Sequence, residues 1–243
     1  MTIQLDFEAE QPEEGVLSQF PDNEPLTITK VERQKSGHRY MLHFGPYRLS
    51  VHEDIMIKYR MISGNVFTKE DLQEIVLADE RQRAYVEGLR YLERKPRTRM
   101  EMARRLREKE IGEELIDEVL ERLRRERLID DSQYAKQWAE QRVTGHRKGK
   151  LWVRHELRSK GIDKSVIAEA LDGISIDQER QSALELGRKK WNAVKGEPSD
   201  KRRKTGAFLM RRGFSGGIVR SVLNTLREDG DMDGMEDDFY EFD

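Results

Sequence analysis

Between Leu26 and Val51 apolar and polar side chains alternate in three runs: Thr27-Ile28-Thr29-Lys30-Val31, Arg39 to Phe44, and Tyr47 to Val51. A period of two belongs to half-buried strands, and the Ser36-Gly37 and Gly45-Pro46 pairs between the runs are turn formers. The spacing predicts a three-stranded meander, a sheet small enough to need cover on one face. Glu53 to Arg60 fits a short helix. Thr68 with Asp71 three residues on marks the N-cap of the helix that follows.

After Glu70 the period lengthens to that of helices, and the pattern repeats. Met102–Leu120, Val153–Leu171 and Thr205–Leu223 align without gaps, 51 and then 52 residues apart. Each copy has Leu at one position (Leu106, Leu157, Leu209), a base three residues later (Lys109, Lys160, Arg212) and a large apolar residue two beyond that (Ile111, Ile162, Phe214). A β-branched residue lies ten positions after the first Leu (Ile116, Ile167, Val219), and a second Leu lies fourteen after it (Leu120, Leu171, Leu223).

This pattern predicts a central helix ending near the base. Gly161 and Gly213 follow it in the second and third copies, where a left-handed C′ residue is needed; the first copy has Glu110 instead. A third helix follows in each copy, with its apolar pair at i, i+4. An opening helix precedes each central one: Arg81–Glu93 with Tyr85, Leu89 and Leu92 inward, Ser132–Arg142 with Tyr134, Ala135 and Trp138, and Gln178–Trp191 with Ala183, Leu184 and Leu186. Thr98 with Glu101 and Asp130 with Gln133 have N-capping spacing. A three-helix unit is too small to bury its apolar face alone, so the expected fold is mainly α: three tandem three-helix repeats stacked as an elongated curved rod behind a small β-rich N-terminal module. The expected boundaries are an acidic disordered segment at 1–24, the β module at 25–68, repeats at 69–130, 131–175 and 176–227, and an acidic disordered tail at 228–243.

Charge changes the picture more than composition does. The chain is 38% charged and 36% hydrophobic with a net charge of -2, but the charges are segregated. Residues 1–24 hold seven carboxylates and residues 228–243 nine, neither stretch having a Lys or Arg. The remaining 31 acids face 45 bases, so residues 25–227 carry about +14. Such a body attracts polyanions, nucleic acid first, or an acidic protein surface. The absence of cysteine excludes disulfides, thiolate metal sites and cysteine nucleophiles. No apolar run suggests a signal peptide or membrane span, so a cytoplasmic protein without membrane association is expected.

The bases gather on the central helices and their flanks. They are Arg97, Arg99, Arg104, Arg105, Arg107 and Lys109 in the first repeat, Arg147, Lys148, Lys150, Arg154, Arg158 and Lys160 in the second, and Lys201, Arg202, Arg203, Lys204, Arg211 and Arg212 in the third. Any one of them can be a solvated helix charge with an i, i+4 partner. A stripe recurring once per repeat can instead track phosphates or acidic patches along a filament. Gly145 to Leu151 superficially resembles a phosphate-binding loop, but it is one residue short, ends in Leu151 where Ser or Thr would hold magnesium, and joins two helices; a flexible basic loop is expected there. Asp130-Asp131 fits a helix cap better than an acid/base pair. His38, His43, His52, His146 and His155 lack ligand spacing. Trp138, Trp152 and Trp191 are expected in the core, Trp152 being the one set among bases. No catalytic residues, cofactor or metal emerge.

Several stretches together resemble the RecX family. These are Leu89-Arg90-Tyr91-Leu92 with Arg97-Thr98 and Glu101, Leu128-Ile129-Asp130-Asp131 with Tyr134-Ala135 and Trp138, Glu156 to Ile162, and Arg211-Arg212-Gly213-Phe214-Ser215. The resemblance spans about residues 25–227, and the β module is similar to the N-terminal extension of members from Gram-positive bacteria. It implies an all-α tandem repeat that, as a monomer, lies in the groove of the RecA–single-stranded DNA filament, where it blocks extension or promotes disassembly, limits ATP hydrolysis and strand exchange, and catalyses nothing; single-stranded DNA is an expected partner with or without RecA. The alternative left by the residues themselves is a sequence-independent DNA-binding helical protein or transcription factor; the central helices offer mainly Arg, Lys and Glu, which suits phosphate or protein contacts better than base edges.

Overall fold

In the computed structural model, residues 17–35 and 38–236 are described, the last seven of these by their backbone alone. The elements run β1 (Leu26–Thr27), β2 (Lys30–Arg33), β3 (Arg39–Phe44), β4 (Tyr47–His52), α1 (Glu53–Lys58), β5 (Val66–Phe67), α2 (Lys69–Leu92), α3 (Arg99–Arg107), α4 (Glu113–Arg125), α5 (Asp131–Glu140), a π-helical turn (Gln141–Gly145), α6 (Lys150–Ser159), α7 (Lys164–Asp172), α8 (Ile176–Ala193), α9 (Pro198–Arg211) and α10 (Gly216–Glu236). No helix among the described residues is long and apolar enough to cross a membrane. The chain divides into two compact units: residues up to Glu93 with Arg105–Arg122, and Arg94–Arg104 with Leu123 onward.

In the first unit β2, β3 and β4 form the expected antiparallel meander, with Leu42 opposite Leu49 and Tyr40 opposite Val51. Alternation sends Leu42, Phe44, Leu49 and Val51 to one face, where Ile55, Leu72 and Ile75 cover them. Leu26–Thr27 leaves the meander and pairs with β5 instead. The α2 N-terminus is closed by the Thr68–Asp71 capping box. Buried Asp79 ties α2 to the sheet, accepting from Arg39 Nη2 and the His52 amide, both at 2.6 Å. Two expectations change here. Leu17 and Phe20 are buried in this core, Phe20 against Phe44 and Tyr47, so residues 17–24 are not a disordered acidic stretch; residues 1–16 lie outside the described ones. Their two large apolar side chains supply cover the small sheet lacks, and Lys69 holds the segment through the Phe20 carbonyl and Asp22. Likewise α10 continues through the acidic residues 228–236, assigned from sequence to a disordered tail, with Asp229 bonded to Arg188 on α8; residues 237–243 lie outside the described ones.

The three aligned Leu residues are fully buried, and the aligned Ile or Val and second Leu residues are buried with them. Each central helix ends in the same doubly bonded turn. Ile111, Ile162 and Phe214 donate to the carbonyls of Leu106, Leu157 and Leu209, while Glu110, Gly161 and Gly213 donate to those of Arg107, Arg158 and Met210. Gly161 and Gly213 have φ of 78° and 87°, and Glu110 adopts the same left-handed conformation at 60°. The cap is thus present in all three copies, glycine or not.

Glycine is required at 161 and 213 for a second reason, which involves the preceding repeat. A Cβ on Gly161 would lie 2.5 Å from Met100 Cβ, and one on Gly213 would lie 2.3 Å from Trp152 Cβ. These turns pack against the N-terminal turns of α3 and α6. Lys160 O accepts from Thr98 Oγ1 at 2.8 Å, and Arg212 O accepts from the amide of Gly149, the residue aligned with Thr98, at 2.9 Å. A carboxylate from the next opening helix completes each junction: Asp131 accepts from the Arg99 amide and Glu179 from the aligned Lys150 amide, both at 2.9 Å. Amide groups left over at a helix start find acceptors in the next repeat.

Two outcomes follow from this packing. Leu157→Ala leaves a cavity in the core of α5, α6 and α7 and is expected to destabilise by about 2 to 5 kcal/mol in chemical denaturation. Gly213→Ala is expected to destabilise, in chemical denaturation, by more than the roughly 1 to 2 kcal/mol of an alanine in the left-handed region, because its methyl meets the α6 backbone at 2.5 Å. An effect no larger than that of alanine at exposed Gly45, which is also left-handed but has open space, would show that the junction tolerates it.

Candidate partner and nucleic-acid interface

The bases of the sequence stripe separate by what their charges already do. Some are internal staples. Lys160 donates to Glu101 at 2.7 Å and lies 4.8 Å above the Trp138 ring. Arg212 donates to the His146 carbonyl at 2.6 Å, Lys150 Nζ to the Ile174 carbonyl at 2.6 Å, and Arg147 to Glu185 at 2.8 Å. Others form surface pairs: Arg105 and Lys109 with Glu87, Arg107 with Glu113, Arg203 and Lys204 with Asp200. Arg202 donates both terminal nitrogens to Asn224. Arg97, Arg99 and Arg104 also have interactions within the described residues. Arg154, Arg158 and Arg211 are exposed and form no ion pair among the described residues, and half-buried Lys201 forms none either. Arg154 and Arg158 stand at i, i+4 on one face of α6, pointing away from the buried Val153 and Leu157.

At the second junction positive charge is concentrated. Lys148 Nζ stacks 4.0 Å above the Trp152 ring. Burial holds its ammonium below the ordinary lysine range, the nearby Arg212 and Arg142 push the same way, and Glu156 opposes them. Trp138 lies between cations too: Arg142 is 4.1 Å from its ring on top of the Lys160 contact, Tyr134 stacks on it at 5.4 Å, and its Nε1 donates to Glu156. Of the three tryptophans expected in the core, Trp191 is buried, and Trp138 and Trp152 are partly buried against the middle repeat's core while bearing cations on their rings.

The stretch expected as a flexible basic loop is held instead. The π-helical turn carries the chain to Arg147 at φ 49°, Lys148 N bonds back to Arg142 O at 2.9 Å, and Gly149 and Leu151 donate to Arg212 and Gly213. A Cβ on Gly149 would lie 2.0 Å from Gly213 O, so the glycine that resembled part of a phosphate loop makes room for a neighbouring backbone.

The Glu101–Lys160 pair is a titratable clasp within the second unit. Burial opposes both charges, but the hydrogen bond between them prevails: Glu101 is held below the usual carboxylate range and Lys160 above the usual lysine range. A depressed carboxyl contributes stability above its unfolded pKa, near 4.5, and that contribution disappears as pH falls through the lower folded value. Glu101→Gln is therefore expected to lower the melting temperature at pH 7 and to differ progressively less from the parent as the pH drops below about 4.5. A gap in melting temperature that stays constant across this range would place the loss elsewhere, for instance in the N-cap bond from the Thr98 amide.

Comparison with known proteins agrees with this threefold construction. Family models match in order: the first three-helix domain of RecX over residues 84–123, the second over 130–171 and the third over 177–223. The regulatory protein RecX of Oceanobacillus iheyensis is 30% identical over 211 residues, 85% of this chain and 78% of that one. That of Limosilactobacillus reuteri is 29% identical over 212 residues, 86% and 80% of the two chains. A crystal structure of a regulatory protein RecX superposes with a TM-score of 0.69 at 28% identity, covering 82% of this chain and 99% of its own. RecX from Lactobacillus salivarius gives 0.60 at 28% identity, over 62% and 98%. With three consecutive domain matches, relatives at 30% identity over most of their length, and the repeated cap and junction seen in the structure, the chain belongs to the RecX family of regulatory proteins.

Proposed function

We propose that this protein is a cytoplasmic, non-catalytic, chiefly negative regulator of the RecA recombinase, acting as a monomer on the RecA–single-stranded DNA filament. In this reading it occupies the filament groove and limits filament extension, ATP hydrolysis and strand exchange. The observation that carries it is a threefold repeat of the RecX type whose central helices bear bases in aligned places, a periodic surface that suits a periodic acidic partner.

The contacting residues come from the same stripe. Arg154, Arg158, Arg211 and Lys201 lead, because binding a phosphate or a carboxylate costs them no internal ion pair. Lys148 on Trp152 follows, a cation and a ring side by side that suit a single-stranded backbone with its bases. Lys150, Lys160 and Arg212 are assigned to fold maintenance, and the surface-paired bases contribute to the general field.

The test is RecA-dependent ATP hydrolysis on single-stranded DNA. The parent protein is expected to inhibit at ratios well below those that would coat the DNA, and Arg154→Glu with Arg158→Glu is expected to raise the half-inhibitory concentration at least tenfold without loss of helicity. Inhibition only at strand-coating ratios would favour a plain sequence-independent DNA binder, and full inhibition by the double variant would move the contact face off α6.

A further inference from the structure

The third repeat inverts a surface that the second repeat carries. At the positions aligned with Arg154 and Arg158 of α6, α9 has Gly206 and Met210; where the second repeat exposes Leu151 and Ala168, the third has Arg203 and Arg220. Bases give way to small or apolar residues at the centre, and apolar residues give way to bases beside it. The result is an open cleft of about 560 Å³ between α9 and α10, with Gly206, Met210, Val219 and Leu223 on its floor and Arg202, Arg203 and Arg220 around them. Met210 is 52% exposed. An apolar surface rimmed by polar groups marks interaction sites, and Met and Arg are enriched in interfaces.

The rim charges are little spent within the chain. Arg220 forms no ion pair among the described residues, Arg202 donates to the neutral Asn224, and Arg203 shares Asp200 with Lys204. All three are arginines, whose planar fork takes a carboxylate or a phosphate through two parallel hydrogen bonds. The floor separates these two kinds of anion. It holds no aromatic ring on which a base could stack, and a base laid on aliphatic side chains would lose water from its polar edges without gaining partners. A side chain the size of leucine or phenylalanine gains there simply by leaving water. The dimensions fit a short peptide. Arg202, Gly206 and Met210 follow one another at four-residue steps along α9, so the cleft is about 12 Å long and seats about four extended residues.

We propose that the α9–α10 cleft seats a short acidic segment of another protein, with a bulky apolar side chain on Met210 and Val219 and the neighbouring carboxylates on Arg202, Arg203 and Arg220. The residues that lead the filament contact proposed above are different ones, and this docking does not rest on that role. Occupancy neutralises two bases of the central-helix stripe, Arg202 and Arg203, so an acidic partner and a polyanion compete for the third repeat.

The test measures docking directly, without RecA. A fluorescently labelled peptide, Phe-Leu-Asp-Glu-Asp-Asp-Leu-Phe, is titrated with the full chain by anisotropy; its apolar pairs at both ends serve either chain direction. Saturable binding is expected, weakened at least tenfold by Arg203→Glu with Arg220→Glu, which set like charges against the peptide. Gly216→Leu is expected to do the same without changing any charge. Gly216 lines the cleft and a Cβ there meets nothing within 4 Å, so the added side chain occupies open space and leaves the melting temperature nearly unchanged. Replacing the Leu and Phe of the peptide by Ala, or its acids by Asn and Gln, should each weaken binding at least tenfold, with the protein untouched. No saturation by about 1 mM peptide, binding that ignores both protein variants, or an alanine peptide that binds as well as the parent would each overturn the proposal. So would an oligothymidylate that displaces the peptide and binds more tightly with the same dependence on Arg203, Arg220 and Gly216, since the cleft would then be a nucleic-acid seat.

Discussion

The interaction on which the second unit depends is the seating of one repeat's left-handed turn on the start of the preceding central helix. Each partner supplies what the other lacks. A helix start has amide or hydroxyl donors without intrahelical acceptors, and a helix end has carbonyls without donors. Lys160 O meets Thr98 Oγ1, and Arg212 O meets the Gly149 amide. The approach is so close that side chains are excluded at Gly161, Gly149 and Gly213. The turn contributes backbone carbonyls and the helix start contributes amides, the Thr98 hydroxyl and a carboxylate from the next opening helix, so a single methyl at these glycines would disturb the joint.

This joint also determines which charges are available. The base three residues after the aligned Leu lies next to the turn, and in the second and third repeats it is drawn inward: Lys160 to Glu101, Arg212 to the carbonyls of the preceding loop. The most regular base of the repeat is therefore the one most engaged in holding the fold. Arg154 and Arg158 on α6 and Arg211 on α9 face solvent instead and form no ion pair among the described residues, so they keep their full capacity for an anionic partner. Periodicity in a charge pattern reports the periodicity of the architecture first, and that of a ligand only where the charges remain unspent.

Departures from the repeat are as informative as its agreement. Glu110 takes the left-handed conformation that glycine takes in the other copies, in a turn where its bonds to Arg107 and Leu106 match theirs, so the cap itself does not demand glycine. What demands it at 161 and 213 is the facing helix. Similarly, Gly206 and Met210 replace two arginines and turn a covered helix surface into a cleft.

The sequence by itself determined the three-stranded meander through alternation, the helix starts through Thr68, Thr98 and Asp130, and the three buried layers through Leu and β-branched residues at constant offsets. These are local rules: side-chain direction and capping depend on spacing within one element, and spacing is written in the chain. Only the tertiary structure decided the rest. That Leu17 and Phe20 leave an acidic stretch to complete a core, and that Gly145 to Leu151 is braced, follows from contacts with Phe44, Lys69 and Gly213, residues 24 to 68 positions away. The same holds for the bases, because whether an arginine is a staple or a free charge depends on whether a distant carbonyl or carboxylate reaches it. Charge is a property of a residue, but availability is a property of its neighbours in space.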